Sequence, residues 1–438
     1  MSRPLLSKLK ETTLSPRLSA WIVVILRLIV GATFIMSGLA KCIDIWGFTF
    51  KIGEYVTVWG LQLPQTLFVI AAMGLSIAEF VLGAMLLLGC YKRSASWLLL
   101  AVMCGMLPLS LYIFVASPVA DCGCFGDFWV ISNGATFLKN IFLTAALIFL
   151  AVKNKSVGGV FRPYSQWVVA TACFVYAVAV ALWGYNVQPL VDFRSFPIGS
   201  QLISADDEDS TDDDIVFQFI YEKNGEQRTF GADELPDSTW TFVDREIVGD
   251  APSESKTELA VYDDGEDVTQ EVVATEGPQL IIVVPDYRRA GISGTFAINE
   301  LHHVMDSIGG SMIEVAAIPR EAIERWRDLS MADYPIYQAE PTVLKELSRG
   351  VISAVFIRDG RIVWKRTVPS IDLDSVVKAA DKNKAIDSLA IDSGRLLGWW
   401  TLGLLGFMLL VWVVDFSIGA LHNRSAKNKS AEKVGEKD

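Results

Sequence analysis

Asp121-Cys122-Gly123-Cys124-Phe125-Gly126-Asp127 stands between two uninterrupted apolar runs, 95–118 and 133–152, and the reading of those runs decides the fold. Each has the length, about 20 residues, that a helix needs to cross the hydrocarbon core of a bilayer. Runs of the same kind occur near 20–41, 66–90, 167–187 and 397–421. The chain has 438 residues, 52% of them hydrophobic, including 13 Trp, and a mean hydropathy of +0.37. That is too apolar for an ordinary soluble protein and long enough for several domains. The sequence therefore predicts a membrane protein with six spans and a separate soluble part.

The distribution of basic residues sets the expected orientation. Arg3, Lys8, Lys10 and Arg17 precede the first span, and Lys92 and Arg93 separate the second from the third. Lys153, Lys155 and Arg162 separate the fourth from the fifth, and Arg424, Lys427, Lys429, Lys433 and Lys437 follow the sixth. The alternate loops are nearly free of Lys and Arg, so the positive-inside rule places both termini in the cytoplasm of a cell with this protein in its inner membrane. The Cys-Gly-Cys loop and the long acidic segment 188–393 are then periplasmic. The first span reads as a retained anchor and not a cleaved signal, because it has a long polar lead, carries Arg27 and lacks a small-x-small cleavage site.

In an oxidising compartment two cysteines one residue apart can close a disulfide, bind a metal or stay as thiols, and spacing alone does not choose. A metal is disfavoured, since only Asp121 and Asp127 are nearby hard ligands and no Cys-x-x-Cys or His partner accompanies them. A structural staple and a redox-active pair, Cys122 and Cys124, both stay open. Cys42 leaves the first span on the same face as the loop and is a candidate third thiol. Lys41 reads as an interfacial residue that snorkels, with Asp44 beside it, and Ser37, Gly38 and Ala40 read as small residues at a helix crossing. Cys90, Cys104 and Cys173 read as packing residues.

Glu79 falls near the middle of the second span, where an ionisable group is costly and is normally paired or functional. Counting helical rise puts Arg27 and Lys139 within roughly 5 to 6 Å of its depth, and these are its candidate partners, in a structural ion pair in preference to a proton relay.

An Arg in span 1, Ser-Gly-x-x-Lys-x-x-Asp at its end, Glu79 in span 2, Cys-Gly-Cys-Phe-Gly after span 3, and Lys139-Asn140 in span 4 together resemble the MauE/DoxX family. These are four-helix membrane proteins associated with redox processes, and the resemblance covers residues 20–153. It implies a redox-associated role: MauE-type members are implicated in maturation of the periplasmic methylamine dehydrogenase, and DoxX-type members in sulfur- or quinone-linked electron transfer. No cofactor is evident in the sequence, and quinone is the one class the resemblance leaves open. The two further spans and the long insertion depart from the minimal pattern.

Beyond the fifth span, Asp206-Asp207-Glu208-Asp209 and Asp212-Asp213-Asp214 read as a solvated acidic linker. Residues 215–230 read as a hairpin turning at Asn224-Gly225. Strands and helices then alternate. Strands are expected over Leu280–Val284, Met312–Ala317, Tyr334–Tyr337, Ser353–Arg358 and Arg361–Arg366. Helices are expected over Phe296–Ile308, Arg320–Leu329, from Pro341, and near Leu373–Ala380. This order resembles a thioredoxin-like domain. It departs from such folds at the chemistry: Pro285-Asp286-Tyr287-Arg288-Arg289 contains no Cys, and Ile352-Ser353 stands where a cis-proline is usual. Lacking a thiolate nucleophile, the domain reads as a binding or positioning module. His302 and His303 read as solvated surface residues.

The expected fold class is thus an α-helical integral membrane protein, a four-helix DoxX/MauE-like bundle plus two further transmembrane helices, with a periplasmic α/β thioredoxin-like domain. The expected divisions are a cytoplasmic tail 1–19, the membrane domain 20–153, a loop and fifth span 154–187, an acidic and β-rich segment 188–267, the thioredoxin-like domain 268–393, the sixth span 394–421, and a basic tail 422–438. The expected partners are the lipid bilayer and a periplasmic redox or client protein. A net charge of −12 and pI near 4.9 argue against a nucleic-acid surface. The alternatives are a non-catalytic assembly scaffold with a structural Cys-Gly-Cys disulfide and, more weakly, a small-solute transporter using Glu79, which no repeat of broken helices supports.

Overall fold

A computed structural model of the chain describes residues 16–61, 63–116, 123–129, 131–153, 157–203, 216–223, 226–231, 241–248 and 258–435, with only the backbone course given for 216–248 and 421–435. The described residues separate into two compact units. The first holds residues up to Phe193 with Arg366–Asp372 and those from Ser388 onward, and the second holds Arg194–Lys365 and Leu373–Asp387.

All six expected spans are helices long and apolar enough to cross a membrane. In the first unit α1 (Pro16–Ile43) is followed at once by α2 (Ile45–Val58), then α3 (Gln65–Leu88), α4 (Lys92–Ala116), α5 (Asn133–Lys153) and α6 (Gln166–Asn186). The sequence reading took the segment after Ile43 as a helix exit. Instead Asp44 caps a new helix, its carboxylate accepting from the Gly47 N–H at 2.9 Å, and the chain continues as α2.

The tightest crossing joins α1 to α3 and runs through glycine. A Cβ on Gly38 would lie 2.4 Å from the Phe80 amide nitrogen, and one on Gly83 would lie 2.8 Å from that of Ile35, so each helix meets the other's bare backbone. Val30, Phe34, Cys42, Phe80, Leu86, Leu147, Cys173 and Val180 belong to the apolar core that these helices share with α5 and α6.

The second unit contains two sheets. In the first, β1 (Val216–Lys223) pairs antiparallel with β2 (Glu226–Gly231), matching the expected hairpin on either side of Asn224-Gly225, two residues that lie outside those described. A third strand, β3 (Thr241–Val248), pairs along the other edge of β1. The larger sheet uses β4 (Tyr262–Asp263), β5 (Glu266–Asp267), β6 (Pro278–Val284), β7 (Ser311–Ala316), β8 (Ile336–Gln338), β9 (Ser353–Arg358) and β10 (Arg361–Thr367), in the order β10-β9-β6-β7-β8-β4-β5. Strands β6, β7 and β8 run parallel, and β9 lies antiparallel to β6. After the short α7 (Thr269–Val272) come α8 (Thr295–Ser307), α9 (Arg320–Ser330), α10 (Pro341–Leu347), α11 (Leu373–Val377) and α12 (Lys382–Asp387).

The central strands are buried on both faces, as near-continuous apolar runs such as Leu280–Val284 require. Phe196, Leu202, Leu259 and Val261, from the stretch read as an acidic and β-rich segment 188–267, contribute to this core with Ile281, Val283, Ile313 and Val355.

The last helix, α13 (Ser393–Gly435), returns to the first unit. Its Asp415 is 4% exposed, accepting from the Ser165 hydroxyl at 2.8 Å and the Arg162 N–H at 2.9 Å. This polar anchor joins α13 to the entry of α6.

Candidate functional site

Ser37 and Lys41 are four residues apart on α1, a spacing that stacks two side chains on one helix face. Across the glycine crossing they meet Glu79 of α3. The Lys41 ammonium lies 2.9 and 2.7 Å from the two carboxylate oxygens of Glu79 and 3.2 Å from the Ser37 hydroxyl. The pair is almost completely enclosed, with side-chain exposures of 1% and 3%. Ser37 Oγ is 2.8 Å from Glu79 Oε2 and 2.7 Å from the backbone carbonyl of Cys124. Its one proton serves one of these acceptors at a time while its lone pairs accept from Lys41. A buried charge pair, a hydroxyl and the main chain of the cysteine loop thus form one network.

The loop is shaped by glycine where L-residues are strained. Gly123 has φ +64° and Gly126 φ +56°, and a single 3-10 turn, Gly126–Phe128, follows. Cys124 and Phe125 are buried against Tyr55 of α2 and Ile113 of α4. Two more lysines line the same segment. The aliphatic stem of Lys51 on α2 covers Gly123 closely enough that a Cβ there would meet Lys51 Cγ at 2.9 Å, and its ammonium pairs with Glu54 at 3.1 Å. The Lys139 ammonium sits 4.4 Å from the centre of the Phe125 ring, a cation–π contact. Asp121 and Cys122 lie outside the described residues, so the geometry between the two cysteines is not described.

Several placements differ from the sequence reading. Glu79 pairs with Lys41, not with Arg27 or Lys139. Reading the end of the first span as a helix exit placed Lys41 at the outer surface, but α2 follows α1 at once, and Gly38 lies level with Ser76 and Phe80. Lys41 is accordingly 1% exposed and does not snorkel. Arg27, in the N-terminal half of α1, meets the C-terminal end of α3. Its guanidinium donates to the Leu86, Leu87 and Gly158 carbonyls at 3.1 to 3.3 Å, satisfying the last turn of α3 as a cation at a helix C-terminus should.

Cys42 has no exposed surface and belongs to the core of α1, α3, α5 and α6, whereas Cys124 belongs to the separate cluster with Tyr55 and Phe125. Cys90 and Cys173 are buried as expected, but Cys104 is exposed. Asp44 is 9% exposed and serves as the α2 cap. His302, read as solvated, has a side chain only 14% exposed, held between Asp306 and Asp333. The sequence reading missed the roles of Ser37 and Lys51. The i,i+4 relation of Ser37 to Lys41 carried a signal for the first, whereas nothing local pointed Lys51 at Gly123. Among the described residues no group of three His, Cys, Asp or Glu side chains could hold a metal ion.

Ser37, Lys41, Glu79, Cys124 and Lys139 all come from the first five helices and the loop between α4 and α5. Residues 19–153 match the family model of the methylamine utilisation protein MauE. The MauE match ends with α5, so α6, α13 and the whole second unit lie beyond it. Residues 215–248, which form β1 to β3, match a domain of unknown function, DUF8463. No curated protein matches the chain, and neither does any solved structure.

Proposed function

We propose that this is a redox-associated inner-membrane protein in which Cys122 and Cys124 exchange a disulfide with a periplasmic partner, relaying electrons to it or assisting its maturation. The observation that carries the reading is the bond from Ser37 to the Cys124 carbonyl, which fastens the cysteine loop to the buried Lys41–Glu79 pair. An ion pair in the bilayer interior is expensive, and here its network is spent on the position of one loop. The match of residues 19–153 to MauE supports the same assignment.

In this mechanism a thiolate of the pair attacks a partner disulfide to form a mixed disulfide. The second thiolate then resolves it, leaving the loop oxidised and the partner reduced, or the reverse. Lys139 supplies positive charge that favours a thiolate beside a loop whose own Asp121 and Asp127 oppose one, while the Lys51 ammonium is paired with Glu54. The second unit then acts as a periplasmic binding module of thioredoxin-like topology. Support comes from the order β10-β9-β6-β7, with β6 and β7 parallel and β9 antiparallel to β6.

A quinone is the cofactor class for the membrane side of such a relay. An apolar groove of about 600 Å³ between α6 and α13, lined by Trp167, Tyr176, Trp399, Trp400 and Phe407, has the size and aromatic walls for a quinone ring. Its polar groups do not fit. Thr401 donates to the Leu397 carbonyl, so the Tyr176 hydroxyl 2.8 Å away donates to Thr401. No acid or histidine lines the groove to exchange the protons of a two-electron reduction, and no step is routed through it.

Burial of Cys124, 9% exposed, favours a second reading, in which the Cys-Gly-Cys is a closed staple in an assembly scaffold. Alkylation of intact cells with a mass-tagged maleimide, with and without a membrane-impermeant reductant, separates the two. The relay requires a reducible pair and loss of function in the Cys122→Ser, Cys124→Ser double variant. A pair that stays oxidised, with normal function in that variant, refutes it.

A further inference from the structure

Glu314 occupies the middle of β7, an interior strand, and has no exposed surface. Its strand neighbours are Ile282 on β6 and Ile336 on β8. One carboxyl oxygen accepts from the Trp326 indole N–H of α9 at 2.7 Å, while the other has no hydrogen-bond partner. No Lys, Arg or His pairs with it among the described residues. A carboxylate left in that position would be a bare charge in an apolar medium, which folding tolerates poorly unless the group takes up a proton.

The surroundings form a clasp between β7, α8, α9 and the segment that leads into β8. The Glu314 amide donates to the Pro335 carbonyl at 2.9 Å. Tyr334, 2% exposed, lies close enough to Glu314 for the two to interact electrostatically, yet its hydroxyl lacks a well-formed hydrogen bond. The Tyr334 ring meets His302 of α8 edge-on at 5.5 Å. His302 Nε2 lies 3.6 Å from Asp306 and 3.5 Å from Asp333, and its buried Nδ1 has no partner. Asn299 of α8 donates to the Ser330 and Met331 carbonyls at the end of α9. Met331 itself closes α9 at φ +52°, a left-handed conformation that favours glycine and is strained for a long side chain. A strained hinge thus sits between the two residues, Trp326 and Tyr334, that enclose the carboxyl.

We propose that Glu314 is a proton-operated clasp: α9 and the 331–335 segment close on the sheet when the carboxyl is protonated and loosen when it ionises. This goes beyond the redox reading and does not depend on it. The titratable groups facing the carboxyl are Tyr334 directly and, behind it, His302, Asp306 and Asp333. Ile282 on β6 and Ile336 on β8 flank it in the sheet, and α9 presents Trp326. Protonated, Glu314 is a neutral acid that can donate to a neighbouring acceptor. Ionised, it has the Trp326 indole and the nearby Tyr334 hydroxyl as donors, and its remaining lone pairs must recruit water, for which α9 and the 331–335 segment have to move away from β7.

Burial pushes the Glu314 carboxyl up to about 7, although the Trp326 hydrogen bond and the nearby Tyr334 hydroxyl favour the anion. Because the folded value lies above the unfolded one, the contribution to stability is complete below the ordinary carboxylate range and is lost as pH rises through about 7. The clasp therefore opens on the alkaline side.

The test is hydrogen exchange of the full-length protein in lipid nanodiscs between about pH 5.5 and 8.5, with labelling times scaled for intrinsic exchange. Peptides covering 311–316 and 320–338 should lose protection by up to ~10-fold for each unit of pH as it rises toward the midpoint and level off above it, while 353–367 stays constant. Glu314→Gln should remove the transition and hold the protected state. Trp326→Phe deletes a donor that favours the anion and should move the midpoint to higher pH, which keeps the test decisive if the first variant does not fold. Protection independent of pH in the wild type, or an unchanged midpoint in either variant, overturns the proposal.

Discussion

Removing Glu79 tests the central geometry. Its carboxylate is bound by both Lys41 contacts, 2.9 and 2.7 Å, and lies beside the Ser37 hydroxyl, with the ion pair closed to solvent. Truncation to Ala leaves an ammonium in the bundle with only Ser37 and the Phe48 ring, 4.9 Å away, to replace it. The cost of such an orphaned charge is about 3 to 5 kcal/mol, whereas Glu79→Gln keeps an acceptor for Lys41 and should cost about half as much. The Glu79→Gln, Lys41→Met double variant leaves no net charge and should be more stable than the sum of its single variants by about 1 to 3 kcal/mol. Unfolding titrations of the purified protein in mixed micelles give these differences. Proteolysis or exchange at residues 123–129 reports whether the loop loosens in parallel, since Ser37 joins the two. Additive single variants, or a Glu79→Ala protein as stable as the wild type, would show that the pair is solvated and does not hold the loop.

Three further outcomes are expected. Gly38→Val should prevent the α1–α3 crossing, because even a Cβ meets the Phe80 backbone at 2.4 Å; a loss of about 3 kcal/mol or more, seen as reduced membrane abundance, is the check. Arg27→Met should remove the side-chain donor to the Leu86, Leu87 and Gly158 carbonyls, lowering stability by about 1 to 3 kcal/mol and speeding exchange at residues 84–92 without altering the 123–129 loop. Reporter fusions after Lys92, Lys155 and Lys427 should be cytoplasmic and those at Ser210 and Asp359 periplasmic, as the positive-inside rule requires; a cytoplasmic signal at Ser210 would reverse the compartment assigned to the cysteines.

The sequence by itself determined what depends on local pattern. The six spans follow from apolar length, and the strands and helices from 280 to 377 follow from period and turn chemistry, with Ser353–Arg358 matching residue for residue. The importance of Glu79 also follows locally, since a carboxyl within an apolar run needs a partner wherever the run goes. Which partner it takes is not local. Lys41 was read as interfacial because a span ending near residue 41 should meet water there. Only the turn into α2, capped by Asp44, and the glycine contact at Gly38 bring Lys41 down to Glu79. Ser37 acquired its role in the same way, when α3 and the Cys124 carbonyl approached from two sides.

Glu314 makes the same point in the second unit. As one acid in a strand it carries no local signal among Met312, Ile313 and Val315, and its environment exists only once α9 closes over β7. Composition and periodicity specify elements because they act through bonds and neighbours a few residues away. The depth of a charge and the partner it finds depend on how those elements cross, and tertiary packing alone decides that.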